Sequence, residues 1–326
     1  MQTIVINKSM VEKHLTMKDA IEAVETAYGE FSAGKTQMPP KKYMYYEKGD
    51  LRTMPATFNE RGMTGVKVVN VHPENRRIGL PTVMAVIELV DMETGFPIAI
   101  IDGTSVTNMR TGAASGVATK WLARKDSETV AFVGAGVQAW LAWLAIKEVM
   151  TPKFVHIWSR TLETSERLKK DIIDEGYTGE VHVFTDLQAS LYDADIITTT
   201  TPSRTPIVKK EWVKKGAHIN AIGADAKGKQ ELETELTASS LVFIDEWEQA
   251  SHSGEINVPH KAGLIEEMHM TPIGEVINDT AAGRVLDDEI TIFDSTGLGL
   301  QDIITAWMVY DKVRHMKDVQ RIDLLA

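Results

Sequence analysis

The sequence predicts an α/β protein with a doubly wound parallel sheet in one domain and meandering strands in a second, α+β domain. From about residue 129, short apolar runs such as "TVAFVGAG" and "LVFIDE" are separated mostly by segments with helical periodicity. This alternation indicates βαβ units that carry helices on both faces of a parallel sheet. Before about residue 110, strand-like runs such as "TGVKVVNVH" and "PTVMAVIELVD" occur close together. A chain of 326 residues is long enough for two such domains.

The N-terminal segment is predicted to open with a strand and a capped helix. Thr16 and Asp19 form a capping box ahead of "AIEAVETAYGEFSAGK", which Gly34 ends. The apolar face of this helix is formed by Ala20, Val24, Ala27, Tyr28 and Phe31. Further on, "METG" reads as a turn that joins "PTVMAVIELVD" to "FPIAIIDG".

Two helices are predicted at the borders of the parallel-sheet domain. "MRTGAASGVATKWLA" leads into that domain, and the apolar-periodic segment "LGLQDIITAWMVYDKV" returns to the first one after "FDSTG". The predicted domains are therefore residues 1–112, completed by about 305–326, and residues 113–304. The first domain would be discontinuous, with the sheet domain inserted.

Composition excludes several classes of partner and site. A net charge of -11 argues against a nucleic-acid binder and against an anionic membrane surface. The chain has no cysteine, which excludes disulfides, thiolate metal sites and a cysteine nucleophile, and its nine histidines lack metal-ligand spacing. No run approaches the ~20 apolar residues that span a bilayer. We therefore expect a cytoplasmic protein without a metal.

The segment "VGAGVQA" has the pattern of a dinucleotide-binding loop. Gly134 and Gly136 directly follow a predicted strand, and Ala139 lies in the helix that comes next. The first glycine permits a tight turn, the second lets the backbone approach a pyrophosphate at the helix N-terminus, and Ala139 permits close helix–strand packing. A lone motif of this kind is often a tight turn only. Its flanks and the βα rhythm that continues after it favour a Rossmann-type dinucleotide-binding domain.

The end of the next strand bears on the identity of the cofactor. NAD-binding folds usually place an acidic residue there to bind the ribose 2′-hydroxyl. This chain has Ser159 and Arg160 in "IWSRT". Arg160 is suited to a 2′-phosphate with Ser159 as a hydrogen-bond partner, which favours NADP over NAD. Alternatively, Arg160 covers the adenine ring or is solvated, and NAD binds.

Several charged residues stand in otherwise apolar or small-residue runs. Lys67 lies in "GVKVVNV", where a buried ammonium needs a partner. It is either part of a structural ion pair or directed at a substrate carboxylate or carbonyl. Arg52 and Arg110 are embedded similarly, and arginine is suited to carboxylate recognition. Asp225 follows a strand in "NAIGADAKG" and is either a turn or cap residue or a general acid/base. Residues 294–296 either cap the next helix or border the cofactor.

Motifs along nearly the whole chain resemble those of the ornithine cyclodeaminase/μ-crystallin family. They include "LRTMPA", "GVKVVNVHPEN", "LPTVMA", "MRTGAASGVA", "VGAGVQA", "HINAIGADAKGKQEL", "GEIN", "IGEVI" and "FDSTGLGLQD". Within the family, the archaeal-type alanine dehydrogenases are the most similar. The resemblance implies a homodimer. It also implies a substrate and dimerisation domain that the C-terminal helix completes and an inserted Rossmann domain.

The resemblance also implies roles for individual residues. Lys67 matches the lysine that holds the substrate carboxylate or imine region, and Lys41 falls where a basic residue assists. Arg110 matches a position near cofactor and substrate, and Asp225 matches the catalytic acid/base. Arg52 is included among the predicted substrate-binding residues. Predicted cofactor-binding residues are Thr82, Arg110, Thr111, Gly134, Gly136, Val137, Gln138, Ser159, Arg160, Thr201, Ile222, Gly223 and Ser295.

Departures from the family pattern rank the possible activities. Cyclodeaminases have glutamate where this chain has Arg52, which counts against cyclisation of ornithine. "IWSRT" is similar to the NADPH-using ketimine reductase and μ-crystallin branch, but μ-crystallins lack the aspartate that corresponds to Asp225. An NAD(P)-dependent oxidoreductase acting on CH–NH2 or C=N groups is therefore expected, first as an amino-acid dehydrogenase of alanine dehydrogenase type. The alternatives, in order, are a cyclic ketimine or pyrroline-2-carboxylate reductase, a non-catalytic μ-crystallin-like binder and an ornithine cyclodeaminase.

Overall fold

The structure, a computed structural model, describes residues 2–324, and the chain divides into two compact units. The first unit contains the chain up to Arg110 and from Leu298 onward, and the second runs from Thr111 to Gly297. The predicted boundaries, after 112 and after 304, lie slightly further along the chain. The first boundary falls inside one continuous helix, Gly103–Leu122, so helical periodicity does not mark it. The functional roles predicted for the two units stay predictions.

The first unit is built on one mainly antiparallel sheet. Its strands are β1 (Thr3–Ile6), β2 (Thr36–Gln37), β3 (Lys42–Tyr46), β4 (Gly49–Phe58), β5 (Met63–Val71), β6 (Val83–Asp91), β7 (Pro97–Asp102) and β16 (Gln320–Ile322). Their order is β16-β1-β7-β6-β5-β4-β2, with β3 also paired to β4. Only β1 and β7 pair in parallel among these strands as described.

Helices cover one face of this first sheet. They are α1 (Lys8–His14), α2 (Met17–Ser32) and α11 (Gly299–Val313), while α3 is the helix Gly103–Leu122. Helix α11 packs on β4, β5 and β6, and α2 packs on α11. The predicted capping box at Thr16 and Asp19 is present, because each residue's side chain accepts a hydrogen bond from the other's backbone N–H. The alternation along β5 therefore sends Lys67 toward the covered face.

The second unit contains the predicted parallel sheet. Its strands are β8 (Thr129–Val133), β9 (Phe154–Trp158), β10 (Glu180–Phe184), β11 (Ile196–Thr199), β12 (His218–Ala221), β13 (Leu241–Ile244), β14 (Met270–Pro272) and β15 (Thr291–Asp294). They are ordered β10-β9-β8-β11-β12-β15-β13-β14 and pair in parallel. The strand order reverses between β8 and β11, which makes this a doubly wound sheet with a topological switch point. The predicted α/β fold class is confirmed.

Short helices connect the strands of the second unit. They are α4 (Val137–Val149), α5 (Leu162–Asp174), α6 (Leu187–Leu191), α7 (Thr234–Ala238), α8 (Trp247–Ser253), α9 (Asn257–Lys261) and α10 (Ile273–Ile277). Among residues 2–324, no helix combines the length and the apolar character needed to cross a bilayer. A cytoplasmic location stays a prediction.

Candidate active-site residues

The glycine loop lies at the switch point, between β8 and α4. Gly134 has a φ of 106°, a conformation that favours glycine, and its N–H donates to the Trp158 carbonyl at 2.8 Å. A Cβ at Gly134 would lie 2.7 Å from Thr200 Oγ1, whereas a Cβ at Gly136 would meet nothing within 4 Å. Gly136 is the N-cap of α4 and supplies no side-chain cap. The loop is therefore closed behind Gly134 and open at Gly136, which fits a phosphate at the start of α4.

The end of β9 carries the two residues that bear on cofactor choice. Ser159 Oγ lies 2.8 Å from the Thr161 carbonyl, 2.7 Å from Thr164 Oγ1 and 2.9 Å from Ser165 Oγ. The hydroxyl is thus tied to the first turn of α5. Arg160 is exposed, and within residues 2–324 its guanidinium makes no ion pair. A charged, accessible guanidinium at this position is compatible with a 2′-phosphate.

Four predicted cofactor-binding residues lie at the carboxyl ends of adjacent parallel strands. They are Thr201 after β11, Ile222 and Gly223 after β12, and Ser295 after β15. The Ile222 N–H donates to the Thr199 carbonyl at 3.0 Å, and the Ser295 N–H donates to the Ala221 carbonyl at 3.1 Å. These backbone bonds continue the ladder beyond the strands. The structure therefore brings the four residues to one edge of the sheet, as open α/β sheets do around ligands.

Asp225 lies in the loop after β12 and is paired with a lysine. Its Oδ1 is 2.5 Å from Lys229 Nζ, and its side chain is 41% exposed. Asn257 holds the same loop, since its Nδ2 donates to the Lys229 carbonyl at 2.8 Å and its Oδ1 accepts from Gly228 N–H at 3.0 Å. Helix α7, the next along the chain, has Glu233 as its N-cap. Asp225 is thus a partly exposed carboxylate beside a cation and does not cap that helix.

Lys67 and Arg110 share one buried carboxylate in the first unit. Lys67 Nζ lies 2.6 Å from Asp302 Oδ2, and Arg110 Nε donates to Asp302 Oδ1 at 2.9 Å. Lys67 also contacts Thr107 Oγ1 at 3.3 Å. Within the described part of the chain, these two cations outnumber the carboxylate that they contact by one. When Lys67 is protonated, the cluster therefore carries a net positive charge that a substrate anion can neutralise.

The environment of Lys67 disfavours its protonated form. Burial lowers the pKa of Lys67 to about 7, although the Asp302 carboxylate opposes this shift. The positive charges of Arg110 and Lys41 lower the pKa further, which places Lys41 within electrostatic range of the ammonium. An anion bound beside Lys67 would favour the charged form again.

Arg52 projects from the same face of the sheet as Lys67. Strands β4 and β5 pair Arg52 with Val69, two residues beyond Lys67, so all three side chains point to one face. Arg52 donates from Nε to Asp50 Oδ1 at 2.8 Å and from Nη2 to Asp50 Oδ2 at 3.0 Å. Its guanidinium also lies 5.1 Å from the centroid of the Tyr43 ring. The side chain is thus held by two neighbours.

The remaining predicted residues are distributed over both units. Thr82 immediately precedes β6, and its carbonyl accepts from His72 N–H at 2.8 Å. Thr111 follows Arg110 on α3. Val137 and Gln138 begin α4, and the Val137 side chain is 60% exposed although it is apolar. An exposed apolar residue beside the glycine loop is available to contact a flat ring or a ribose.

Residues 294–296, in the loop after β15, do not cap the helix that follows, although the sequence offered that role as one of two. The N-cap of α11 is Leu298, so none of residues 294–296 caps that helix. Thr296 instead donates from N and Oγ1 to the buried Asp245 carboxylate, each at 2.7 Å. Asp294 is also buried, and burial raises its pKa to about 8. It accepts from Ile256 N–H at 3.0 Å. These acids stabilise the loops of the second unit.

Among the buried acids that sequence reasoning missed, Asp302 and Glu231 bear on the candidate site. Asp302 stands on the apolar face of α11 beside Ile303 and Ala306, and an acid there needs a cation, so a signal existed. Glu231 accepts hydrogen bonds from the N–H groups of Thr201 and Gly223. It occurs in the polar run "KQELETEL", where no pattern distinguishes it from a solvated glutamate.

Comparison with known proteins identifies the family. A sequence profile of the ornithine cyclodeaminase/mu-crystallin family matches residues 1–317. The alanine dehydrogenase of Archaeoglobus fulgidus is 45% identical over 313 residues, which cover 95% of each chain.

Two solved structures support the same assignment. An archaeal alanine dehydrogenase dimer with bound NAD superposes with a TM-score of 0.96 at 43% identity, covering 99% of this chain and 100% of that one. The Δ1-pyrroline-2-carboxylate reductase of Thermococcus litoralis, with NADH and L-proline, gives 0.94 at 34% identity, covering 98% and 100%. These relatives confirm the prediction of an NAD(P)-dependent oxidoreductase. With its fold, its glycine loop and these matches, the chain belongs to the ornithine cyclodeaminase/mu-crystallin family.

Proposed function

We propose that this protein is an NAD(P)-dependent amino-acid dehydrogenase of alanine dehydrogenase type. It would interconvert a small L-amino acid with its keto acid and ammonia. The observation that carries the proposal is the pair of cations, Lys67 and Arg110, on the single carboxylate of Asp302. That cluster is suited to an α-carboxylate, which all amino-acid and keto-acid substrates possess. The 45% identity to an alanine dehydrogenase supports this choice over other oxidations.

The glycine loop and β9 would bind the dinucleotide. The open space at Gly136 and the uncapped start of α4 would receive the pyrophosphate. The nicotinamide group supplies a hydride donor or acceptor when bound. Ser159 and Arg160 favour NADP, whereas the solved relatives that contain NAD or NADH make NAD the alternative. Either cofactor fits the glycine loop, because the two share the same pyrophosphate.

Lys67, Arg110 and Asp225 would have different tasks in the reaction. The ammonium of Lys67 and the guanidinium of Arg110 hold the substrate carboxylate, assisted by Lys41 and Arg52. Asp225 moves the proton as amine and imine interconvert, and Lys229 stabilises its ionised form. Its partial exposure allows it to exchange that proton with water. Positioning the substrate Cα for hydride transfer would supply most of the rate.

A cyclic ketimine or pyrroline-2-carboxylate reductase is the second candidate. The Thermococcus litoralis enzyme, which was solved with L-proline, supports it at a TM-score of 0.94. Reduction of a cyclic imine needs the same carboxylate anchor and hydride acceptor geometry but releases no ammonia. Because one or two pocket side chains separate these substrates, the two activities are distinguished by assay.

We also propose that the uncovered face of the first sheet binds a second copy of the chain. Val66, Val68, Val86 and Ile100 alternate with the residues under α11 and point to this other face. Val86 is 51% exposed, which is costly for an apolar side chain in the middle of a sheet. The archaeal alanine dehydrogenase with 43% identity is a dimer, which supports a homodimer here.

Replacement of Asp225 tests the proposed chemistry. Asp225→Asn keeps the shape of the side chain but removes the base, so we expect turnover to fall by about 10²- to 10⁴-fold. Binding of the dinucleotide, followed by NADH or NADPH fluorescence, should persist. Unchanged turnover would remove Asp225 from the mechanism, and loss of dinucleotide binding would assign it a structural role.

A further inference from the structure

Glu231 joins two separate segments at the carboxyl edge of the parallel sheet. Its carboxylate accepts from Thr199 Oγ1 at 2.7 Å, from Thr201 N–H at 2.6 Å and from Gly223 N–H at 2.9 Å. The first two residues lie at the end of β11 and just beyond it, and the third follows β12. One side chain thus connects the ends of two neighbouring strands.

The backbone of Glu231 is held as firmly as its side chain. Its carbonyl accepts from the N–H groups of Ile207 and Val208, at 2.8 and 3.0 Å. Its N–H donates to the Glu255 carboxylate at 3.0 Å. The residue is fully buried, and burial raises its pKa. The carboxylate therefore has little freedom to leave the two N–H groups that it accepts from.

Gly223 is shaped to fit this arrangement. A Cβ at Gly223 would lie 2.3 Å from the Thr201 carbonyl and 2.4 Å from Glu231 Oε2. The loops after β11 and β12 therefore approach each other as closely as backbone allows. A side chain at position 223 would therefore force Gly223, Thr201 or Glu231 to shift.

The position of these loops in the sheet suggests what they contact. A doubly wound sheet has two halves, with the pyrophosphate loop at the switch point and the adenosine half beyond the strand next to it. Here β8 carries the glycine loop, and β9 leads to Ser159 and Arg160. Strands β11 and β12 belong to the other half, where the nicotinamide end of the dinucleotide belongs.

We propose that Glu231 is a positioning residue for the nicotinamide half of the dinucleotide site, acting through Thr201 and Gly223. It touches neither cofactor nor substrate. It fixes the spacing of two loops whose outer surfaces would contact the nicotinamide ribose and ring. This inference rests on the proposed dinucleotide-dependent function, and it adds a residue whose contribution is separable from the adenosine half.

Glu231→Gln is the direct test. An amide has one acceptor oxygen and one donor group, so either Thr201 N–H or Gly223 N–H would face another N–H. We expect the affinity for NADH to fall about tenfold, in line with loss of one buried backbone hydrogen bond. The affinity for ADP-ribose, which lacks the nicotinamide end, should stay within about twofold by the same reasoning. If the wild type prefers NADPH, then NADPH and 2′-phospho-ADP-ribose are the probes.

Asp195→Asn provides a matched control. Asp195 is a buried carboxylate that also accepts from two backbone N–H groups, those of Glu128 and Thr129, at 2.8 and 2.9 Å. It lies at the amino ends of β8 and β11, the opposite edge of the same sheet. The control should lower the melting temperature yet leave the ratio of NADH to ADP-ribose affinity unchanged. A general loss of stability is thereby separated from a local effect.

Each outcome decides the inference. A lower ratio in Glu231→Gln but not in Asp195→Asn supports it, and an unchanged ratio in a folded Glu231→Gln overturns it. Should Glu231→Gln fail to fold, Thr199→Val removes one hydrogen bond to the same carboxylate without changing a charge and is expected to lower the ratio too. If the wild type binds NADH but Glu231→Gln does not change the ratio of NADH to ADP-ribose affinity, only this inference fails and the proposed function still stands. A wild type that binds no dinucleotide overturns both.

Discussion

Lys67 Nζ lies 2.6 Å from Asp302 Oδ2, and the two side chains are 1% and 0% exposed to solvent. Arg110 Nε binds the other oxygen of the same carboxylate at 2.9 Å. A carboxylate in this position has two effects. It offsets part of the cost of burying two cations. While Lys67 is protonated, it also leaves the cluster with one net positive charge. The cluster is thus stable without substrate and still able to bind an anion.

Removal of Asp302 should be strongly destabilising. Asp302→Asn would leave the buried guanidinium of Arg110 without its counter-charge and would lower the pKa of Lys67 further, at a cost of about 3–5 kcal/mol in the free energy of unfolding. Urea denaturation measures this loss. Asp311→Asn, on the same helix but 47% exposed in a 3.5 Å pair with Arg314, should change stability by less than about 1 kcal/mol. Equal effects of the two substitutions would contradict the account.

Binding of a keto acid should depend on the charge of Lys67. Burial lowers the pKa of Lys67 to about 7, so the free protein loses this positive charge as the pH rises through neutrality. Only the charged form attracts a carboxylate, and affinity for pyruvate should therefore fall above about pH 7. Calorimetric titration across the neutral range checks this. Lys67→Arg, which stays protonated, should remove that pH dependence if it folds.

The same shift predicts how stability varies with pH. Unfolding returns Lys67 to its ordinary pKa of 10.5, so between about 7 and 10.5 the unfolded chain binds more protons at this site. The contribution of Lys67 to the free energy of unfolding therefore rises with pH over that window and is most unfavourable below it. The difference in the free energy of unfolding between wild type and Lys67→Met isolates this contribution. A contribution that falls as the pH rises from about 7 to 10.5 would contradict the lowered pKa of Lys67.

Arg160 should discriminate between the cofactors. It is exposed at the end of β9, where a 2′-phosphate would lie. Arg160→Ala should weaken NADPH by about tenfold or more through loss of a charged hydrogen bond and leave NADH nearly unchanged. Fluorescence titration with both cofactors gives the comparison. Equal losses would show that the guanidinium packs on adenine, and no loss would show that it is solvated.

The uncovered sheet face should be sensitive to charge. Val86→Glu places a carboxylate in the middle of the proposed dimer interface, where burial without a partner is costly. We expect a monomer by light scattering for this variant and a dimer for the wild type. Ile173→Glu on α5, at a site with 48% exposure in the second unit, is the control and should remain dimeric. A dimeric Val86→Glu would place the interface elsewhere.

Local sequence signals predicted the elements that depend on neighbours in the chain. The capping box at Thr16, the positive-φ turn at Gly134 and the parallel strands were all readable, because each rests on residues close in sequence. Strands β14 and β16 were not, since three residues cannot establish an alternation. Their pairing depends on the strands beside them.

The sequence predicted only part of the candidate site, because the contacts that define the rest join residues far apart in the chain. Lys67 stood out because a lysine in an apolar strand needs a partner, but the partner is on a helix more than two hundred residues away. Glu231 stood out in no way, because what distinguishes it is the pair of loop N–H groups that it accepts from. Sequence alone identifies a residue that needs a partner but does not say where the partner lies.

The central claim is tested most directly by an absorbance assay that offers NADH and NADPH, each with pyruvate plus ammonium and with pyrroline-2-carboxylate. We expect oxidation of a reduced cofactor with pyruvate and ammonium, with Arg160 favouring NADPH. Oxidation with the cyclic imine alone would contradict the dehydrogenase proposal and make the protein a ketimine reductase. No oxidation with either substrate, despite dinucleotide binding, would contradict both.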